Sequence, residues 1–303
     1  MVAQIDPEVV PLLTNSDLVE LTAFRRALHR RPEISGQEAE TARTIQTALG
    51  DLAPSRILTD LGGHGVAAVF DSGQPGPTVL FRAELDALPI EELSDAPWVS
   101  DIPGKGHLCG HDGHMTMLLA LGRMLSRQPV QKGRVGLMFQ PAEEGGSGAR
   151  AVVADPAYAE IAPDWAFAIH NEPGKPFGHV STRAGLINCA SLGLQIRLSG
   201  KTAHVAEPEE GRSPALAVAE LIPALGALGV GGALTDDFKL VPLTHHNIGE
   251  PPFGIAPADT VIHATLRPPQ DDGLDAPQQA APQLAAEAAY QHGSNAQFGV
   301  SDH

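Results

Sequence analysis

Three apolar runs in this 303-residue chain, residues 78–83, 134–139 and 165–169, each stop at side chains that hold cations or move protons. The first is followed by Glu84 and Asp86, the second by Glu143 and Glu144, and the third by His170 and Asn171. Short apolar runs bounded by turn residues read as strands, and helical spacing of apolar residues at 16–28 and 38–49 precedes them. Helices and strands that alternate in this way predict an α/β protein. In open α/β sheets, ligands bind beyond the carboxyl ends of the strands. One polar strand ending is equally an ordinary solvated turn; three of them predict a common site.

A fourth contributor is the window 105–114, Lys-Gly-His-Leu-Cys-Gly-His-Asp-Gly-His. Cys109 and His111 are spaced as on an extended segment, and residues 115–125 are apolar enough for a buried helix, so the cluster is expected at a loop-to-helix junction. Thiolate, neutral imidazole and carboxylate are ligands for zinc and its first-row neighbours. The same ten residues also fit a solvated His-rich turn without a ligand, and Cys109 also fits a nucleophile with a histidine base. Glu143 and Glu144 follow Pro141, so the chain there is expected to be extended or turned, with neighbouring side chains pointing apart. One carboxylate can then hold metal while the other handles water, which is metal-assisted hydrolysis. Two solvated acids on a Gly-rich loop is the alternative. There is no Gly-x-Ser-x-Gly elbow and no phosphate-cradling loop. Cys189, among Ile187, Ala190 and Leu192, is expected to be an inert core thiol.

The formal charge of −16, from 36 acids against 20 Lys and Arg, argues against a nucleic-acid partner and against an anionic membrane surface. Two cysteines cannot build a disulfide framework, the first eight residues lack the basic and apolar regions of a leader, and no apolar run has spanning length. A cytoplasmic location is expected. Beyond residue 185 the texture changes: an alternating strand at 192–198, a Gly-Lys-Thr-Ala-His204 turn, an Ala-rich helix at 214–228, strands at 239–248 and 260–266, a helix at 274–290 and a strand at 296–300. This is the β-α-β-β-α-β order of a ferredoxin-like unit. Two domains are expected, 1–185 and 186–303, with a flexible loop at 229–237.

Four segments, Arg26-Ala-Leu-His-Arg-Arg-Pro-Glu33, Arg82-Ala-Glu-Leu-Asp-Ala-Leu-Pro89, Cys109-Gly-His-Asp-Gly-His114 and Phe139-Gln-Pro-Ala-Glu-Glu144, together resemble the amidohydrolase branch of the aminoacylase-type metallopeptidases. That branch includes hydrolases of hippurate, of N-acyl amino acids and of indole-acetyl amino-acid conjugates. The resemblance implies an open mixed-sheet catalytic domain with an inserted lid, a homodimer formed through that lid, and two divalent ions (zinc, manganese, cobalt or nickel). Carried over by position, Cys109, His111, Glu144 and His170 become metal ligands, Glu143 the general base and acid, and Asp86 the residue that orients a ligand. His204 becomes an oxyanion donor from the lid, and Arg267 and Asn171 become substrate contacts. The sequence departs from the pattern at Glu84, where relatives carry Asp, and at Gly254, near a position often held by Asn. It also stops at His303, before the segment in which relatives place a final metal-binding His. The second expectation is therefore a homologue that holds metal weakly or dimerises without turnover.

Overall fold

The computed structural model describes residues 12–302 except 234, 236 and 252, with no side chains described at 301 and 302. The expectations for the first eight residues, for His303 and for part of the 229–237 loop lie outside the described residues. The chain divides into two compact units, Met1–Val180 and Ser181–His303.

In the first unit, helices α1 (Asn15–Arg30) and α2 (Ala39–Gly50) precede strands β1 (Arg56–Leu61), β2 (Gly65–Asp71) and β3 (Thr78–Glu84). Helix α3 (His111–Arg127), strand β4 (Arg134–Gln140), helix α4 (Gly148–Ala154) and strand β5 (Trp165–Ala168) follow. The sheet order is β1-β2-β4-β3-β5. Pairing is antiparallel from β1 to β4 and parallel among β4, β3 and β5, so the sheet is mixed. Strand β2 is buried from Gly65 to Phe70 because helices cover one face and the α4 region the other. Val66, Ala68 and Phe70 pack with Leu21, Ile45, Leu49, Met115 and Leu119. Ala67 and Val69 pack with Leu58, Leu61, Val152 and Ile161.

Helix α1 starts from a reciprocal cap. The Asp17 N–H donates to Thr14 Oγ1 at 3.2 Å, and the Thr14 N–H donates to Asp17 Oδ2 at 2.7 Å. Asp17 also receives Arg127 from the last turn of α3 at 2.7 Å and Arg123 at 2.8 Å. The Arg127 hydrogen bonds first, and then the Thr14 backbone N–H, hold the Asp17 carboxyl far below the usual carboxylate range. Because the folded value is depressed, this contribution is present above the unfolded pKa of about 3.9 and is lost as pH falls further. Urea melts between pH 2 and 6 should therefore show a steep acid limb in the natural chain and a flatter one in Asp17→Asn. Equal slopes would show that Asp17 is not a source of the acid sensitivity.

The second unit contains β6 (Leu192–Ser199), β7 (Ala203–His204), α5 (Ala215–Gly226), β8 (Leu243–Ile248), β9 (Ile255–Ala256), β10 (Asp259–Leu266), α6 (Asp275–Gln291) and β11 (Asn295–Asp302). Its four-stranded sheet has the order β11-β6-β10-β8, antiparallel throughout. With α5 and α6 this is the β-α-β-β-α-β unit that the period-2 pattern at Leu192, Leu194, Ile196 and Leu198 predicts; those four side chains pack against Val218, Leu221, Ala281 and Ala285. Strands β7 and β9 pair as a separate ribbon. Cys189 does not reach the core: it is half-buried beside an exposed Ile187, because it precedes β6 rather than lying on it. Among the described residues, no helix is long and apolar enough to cross a membrane.

Candidate metal centre

The parallel strands β3, β4 and β5 run in one direction, so their carboxyl ends deliver Glu84 and Asp86, Glu143 and Glu144, and His170 and Asn171 to one edge of the sheet. The chain leaves β4 through Ala142 in the left-handed region (φ +46°). A Cβ on Gly148 would lie 1.6 Å from the Pro141 carbonyl oxygen, so only glycine lets α4 start against the turn that carries the two glutamates. Cys109 and His111 come from the start of α3. The expected extended spacing is overturned here: His111 is the first residue of α3, and Gly110 turns the chain into the helix with φ +94°. Gly110 also leaves room for Asn171, whose Oδ1 would lie 2.3 Å from an added Cβ.

Three groups of potential ligands share His111: Cys109 with His170, Glu84 with His114, and Glu143 with Glu144. The hydrogen bonds separate candidate ligands from supporting side chains. His111 Nδ1 donates to the Asp86 carbonyl oxygen at 2.8 Å, which leaves Nε2 as the nitrogen that faces outward and presents a lone pair once the ring gives up its second proton. His170 Nδ1 donates to the Asn171 carbonyl oxygen at 2.7 Å and leaves Nε2 facing Cys109 Sγ at 3.3 Å. His114 has both nitrogens engaged, with Glu84 Oε2 at 2.7 Å and Asn171 Oδ1 at 2.9 Å, so it braces the site. Asp86, fully buried, accepts from Ser35 Oγ at 2.7 Å and from the Glu144 N–H at 2.9 Å, tying the two strand ends together.

The charges are concentrated at this edge. Burial disfavours the His111 imidazolium, but the surrounding Asp86, Cys109 and Glu84 outweigh it and hold its pKa up to about 11. Burial also opposes the Asp86 carboxylate, which the His111 and Ser35 hydrogen bonds and the Glu144 N–H nevertheless hold below the usual range. Burial raises Glu144. Glu143 is more open and stands 3.7 Å from His111 Nε2 and 3.8 Å from the Arg82 guanidinium.

Cys109, His111, Glu143, Glu144, His170, Asp86 and Asn171 are thus neighbours in the first unit. His204 and Arg267 belong to the second. His204 is exposed on β7, its Nδ1 accepting from the Ala206 N–H at 3.2 Å, and Arg267 is exposed just after β10, bridged through its backbone to Leu240. Glu84, expected among the strand-end residues, and His114, one of the three imidazoles of the 105–114 window, are both at the site but pair with each other, while Ser35 and Arg82, to which the sequence assigns no role, join them. The spacing of His111 and His114, three apart and hence on one helix face, was the available signal for His114.

A mixed α/β unit that gathers a thiolate, imidazoles and carboxylates at the ends of its parallel strands, joined to a ferredoxin-like unit, has the architecture of a metallopeptidase. The chain belongs to peptidase family M20/M25/M40, whose family model matches residues 80–298. It is 33% identical to IAA-amino acid hydrolase ILR1-like 5 of Arabidopsis thaliana, over 88% of this chain and 60% of that protein. It is 33% identical to the N-acetyl-L-cysteine deacetylase of Bacillus subtilis, over 82% of this chain and 59% of that one. Its fold is similar to a dinuclear metal binding peptidase of the M20 family from Bacillus subtilis, with a TM-score of 0.71 and 27% identity, covering 96% of this chain and 75% of that one. The chain therefore spans about three fifths of the length of these curated relatives.

Proposed function

We propose that the chain is a divalent-metal amidohydrolase that splits the amide bond of N-acyl amino acids carrying an acetyl, benzoyl or indole-acetyl group. One observation carries this reading. His111 Nε2 and Glu144 Oε1 are both buried, 3.7 Å apart, and without hydrogen-bond partners, next to the Cys109–His170 pair. Buried polar atoms are nearly always satisfied, so this pair of orphans fits a cation. The thiolate argues against an all-oxygen magnesium or calcium site and suits zinc, manganese, cobalt or nickel. Cys109, His111, Glu144 and His170 would hold two such ions, and His111 surrenders its proton to do so. When bound, the ions supply Lewis-acid polarisation of the amide carbonyl and acidify water.

The chain's own residues supply the rest. Glu143 takes a proton from the attacking water as the water oxygen bonds to the carbonyl carbon. Cleavage of the C–N bond then sends that proton from Glu143 to the departing amine. Asp86 fixes the orientation of His111. In the second unit, the exposed His204 is assigned to the developing oxyanion and Arg267 to the substrate carboxylate; in the first unit, Asn171 is assigned as a substrate contact. Homodimerisation through the second unit and a reducing, cytoplasmic setting complete the reading; the free Cys109 thiol suits the latter. The names of the Arabidopsis hydrolase and the Bacillus deacetylase specify substrates of this class. A second reading, a homologue that holds metal without turnover, is favoured by the small donor set: four side chains for two ions.

Release of free amino acid from N-acetyl, N-benzoyl and indole-acetyl amino acids, with added zinc or manganese and with chelator, separates the two. Turnover abolished by chelation is the expected result. A folded chain that binds metal yet turns over none of the panel would leave the second reading standing.

A further inference from the structure

Helices α1 and α3 of the first unit run antiparallel and are joined by a charged clamp at each end. At one end is the Asp17 cluster with Arg123 and Arg127. At the other, Asp112 Oδ2 receives Arg25 Nε at 2.8 Å and His29 Nδ1 at 2.9 Å. His29 Nε2 continues to both oxygens of Glu92 at 3.2 Å, and Glu92 is itself fixed by Ser94 Oγ at 2.6 Å and the Ser100 N–H at 2.9 Å. The Asp112 side chain is fully buried and His29 nearly so. Buried ion pairs contribute little net stability, since desolvation offsets the attraction, so stability alone is a poor account of this chain of charges.

Its position offers a better one. Asp112 follows His111 directly, on the helical turn that also carries His114. That turn begins at Gly110, which has no side chain to cap it and makes no side-chain cap hydrogen bond. With no cap there, the first turn of α3 is held by His111 on the Asp86 carbonyl, by His114 on Glu84 and, from the opposite helix, by the Asp112 connection to α1. We propose that His29, acting through Asp112 and assisted by Arg25 and Glu92, is a positioning residue that sets the affinity of the metal centre by fixing the turn bearing His111. The inference rests on the metal reading above. Groups that orient a ligand from behind typically change metal affinity by about 10–100-fold.

The two clamps provide their own control. Zinc affinity would be measured on the full chain by competition with a chelating indicator, together with urea stability, for the natural chain, His29→Leu, His29→Gln and Asp17→Asn. The expected result is zinc binding about 10–100-fold weaker in His29→Leu, largely recovered in His29→Gln, whose amide can still donate to Asp112. Asp17→Asn should lower the urea midpoint at pH 7 and leave zinc affinity unchanged. Natural affinity in a folded His29→Leu chain overturns the inference, as does an equal loss in Asp17→Asn, which would mark a general effect of stability. Should His29→Leu not fold, Arg25→Gln and Asp112→Asn decide, because both weaken the connection to Asp112: weaker zinc binding in either supports the clamp, and natural affinity in both overturns it. A natural chain that takes up no zinc or manganese overturns the metal reading itself, and the inference with it.

Discussion

Glu143→Gln should abolish hydrolysis of N-acyl amino acids, lowering kcat by about 10²–10⁴-fold, while the chain folds and takes up metal as before. The argument is geometric. Glu143 is the most open of the carboxylates at the strand ends; its Oε2 lies 3.7 Å from His111 Nε2, and its Oε1 makes only a long, 3.8 Å approach to Arg82. Glutamine fills the same volume, keeps a carbonyl oxygen in that place and cannot accept and return a proton. Glu144 differs in both respects: burial raises its pKa, and its N–H is fixed by Asp86. The division of labour therefore predicts that Glu143→Gln loses turnover with metal affinity intact, whereas Glu144→Gln loses affinity. Steady-state kinetics beside a metal titration reads both. A Glu143→Gln chain retaining more than about a tenth of natural kcat would remove Glu143 from the proton-transfer role, since general acid–base groups contribute more than that.

His111→Ala should have the second large effect, on the coupling between metal and stability. His111 alone belongs to all three ligand groups. It is 1% exposed, and its ring also faces the fully buried Asp86 carboxylate at 3.4 Å. Removing one partner of a buried charged pair typically costs about 3–5 kcal/mol, because the other charge stays behind unpaired. The natural chain should in addition gain thermal stability with zinc, by about 4 kcal/mol at a thousand times Kd. His111→Ala should melt lower without metal and gain little or nothing with it. Thermal melts with zinc and with chelator measure both quantities. An undiminished zinc-dependent rise in Tm in the variant would place the ion elsewhere.

Much of the framework was legible because periodicity reflects burial. The period of 2 in β6 and the helical periods in α1 and α3 come from side chains that must face a core, and the element types followed from them. Strand β1 was missed because Arg56-Ile-Leu-Thr-Asp-Leu61 alternates poorly, having a register break between Leu58 and Leu61 with Asp60 at φ +60°. The 165–169 run was read on the same footing as the other two strands. In the structure, β5 is an edge strand, exposed along its whole length. Hydrophobic composition selects the extended conformation, but coverage depends on what packs there.

The sequence by itself determined the α/β character, the ferredoxin-like order of the second unit and the residue types at the strand ends, because each is written in local spacing. The tertiary structure decided what each of those side chains meets. Whether an imidazole presents a lone pair depends on what its other nitrogen meets: His111 and His170 each meet a carbonyl oxygen and present Nε2, while His114 meets Glu84 and Asn171 and presents none. The same holds for the pairing of His29 with Asp112, 83 positions apart, which no local pattern encodes. Hydrogen bonds between distant segments are set by packing, and at this edge of the sheet they separate candidate ligands from supports.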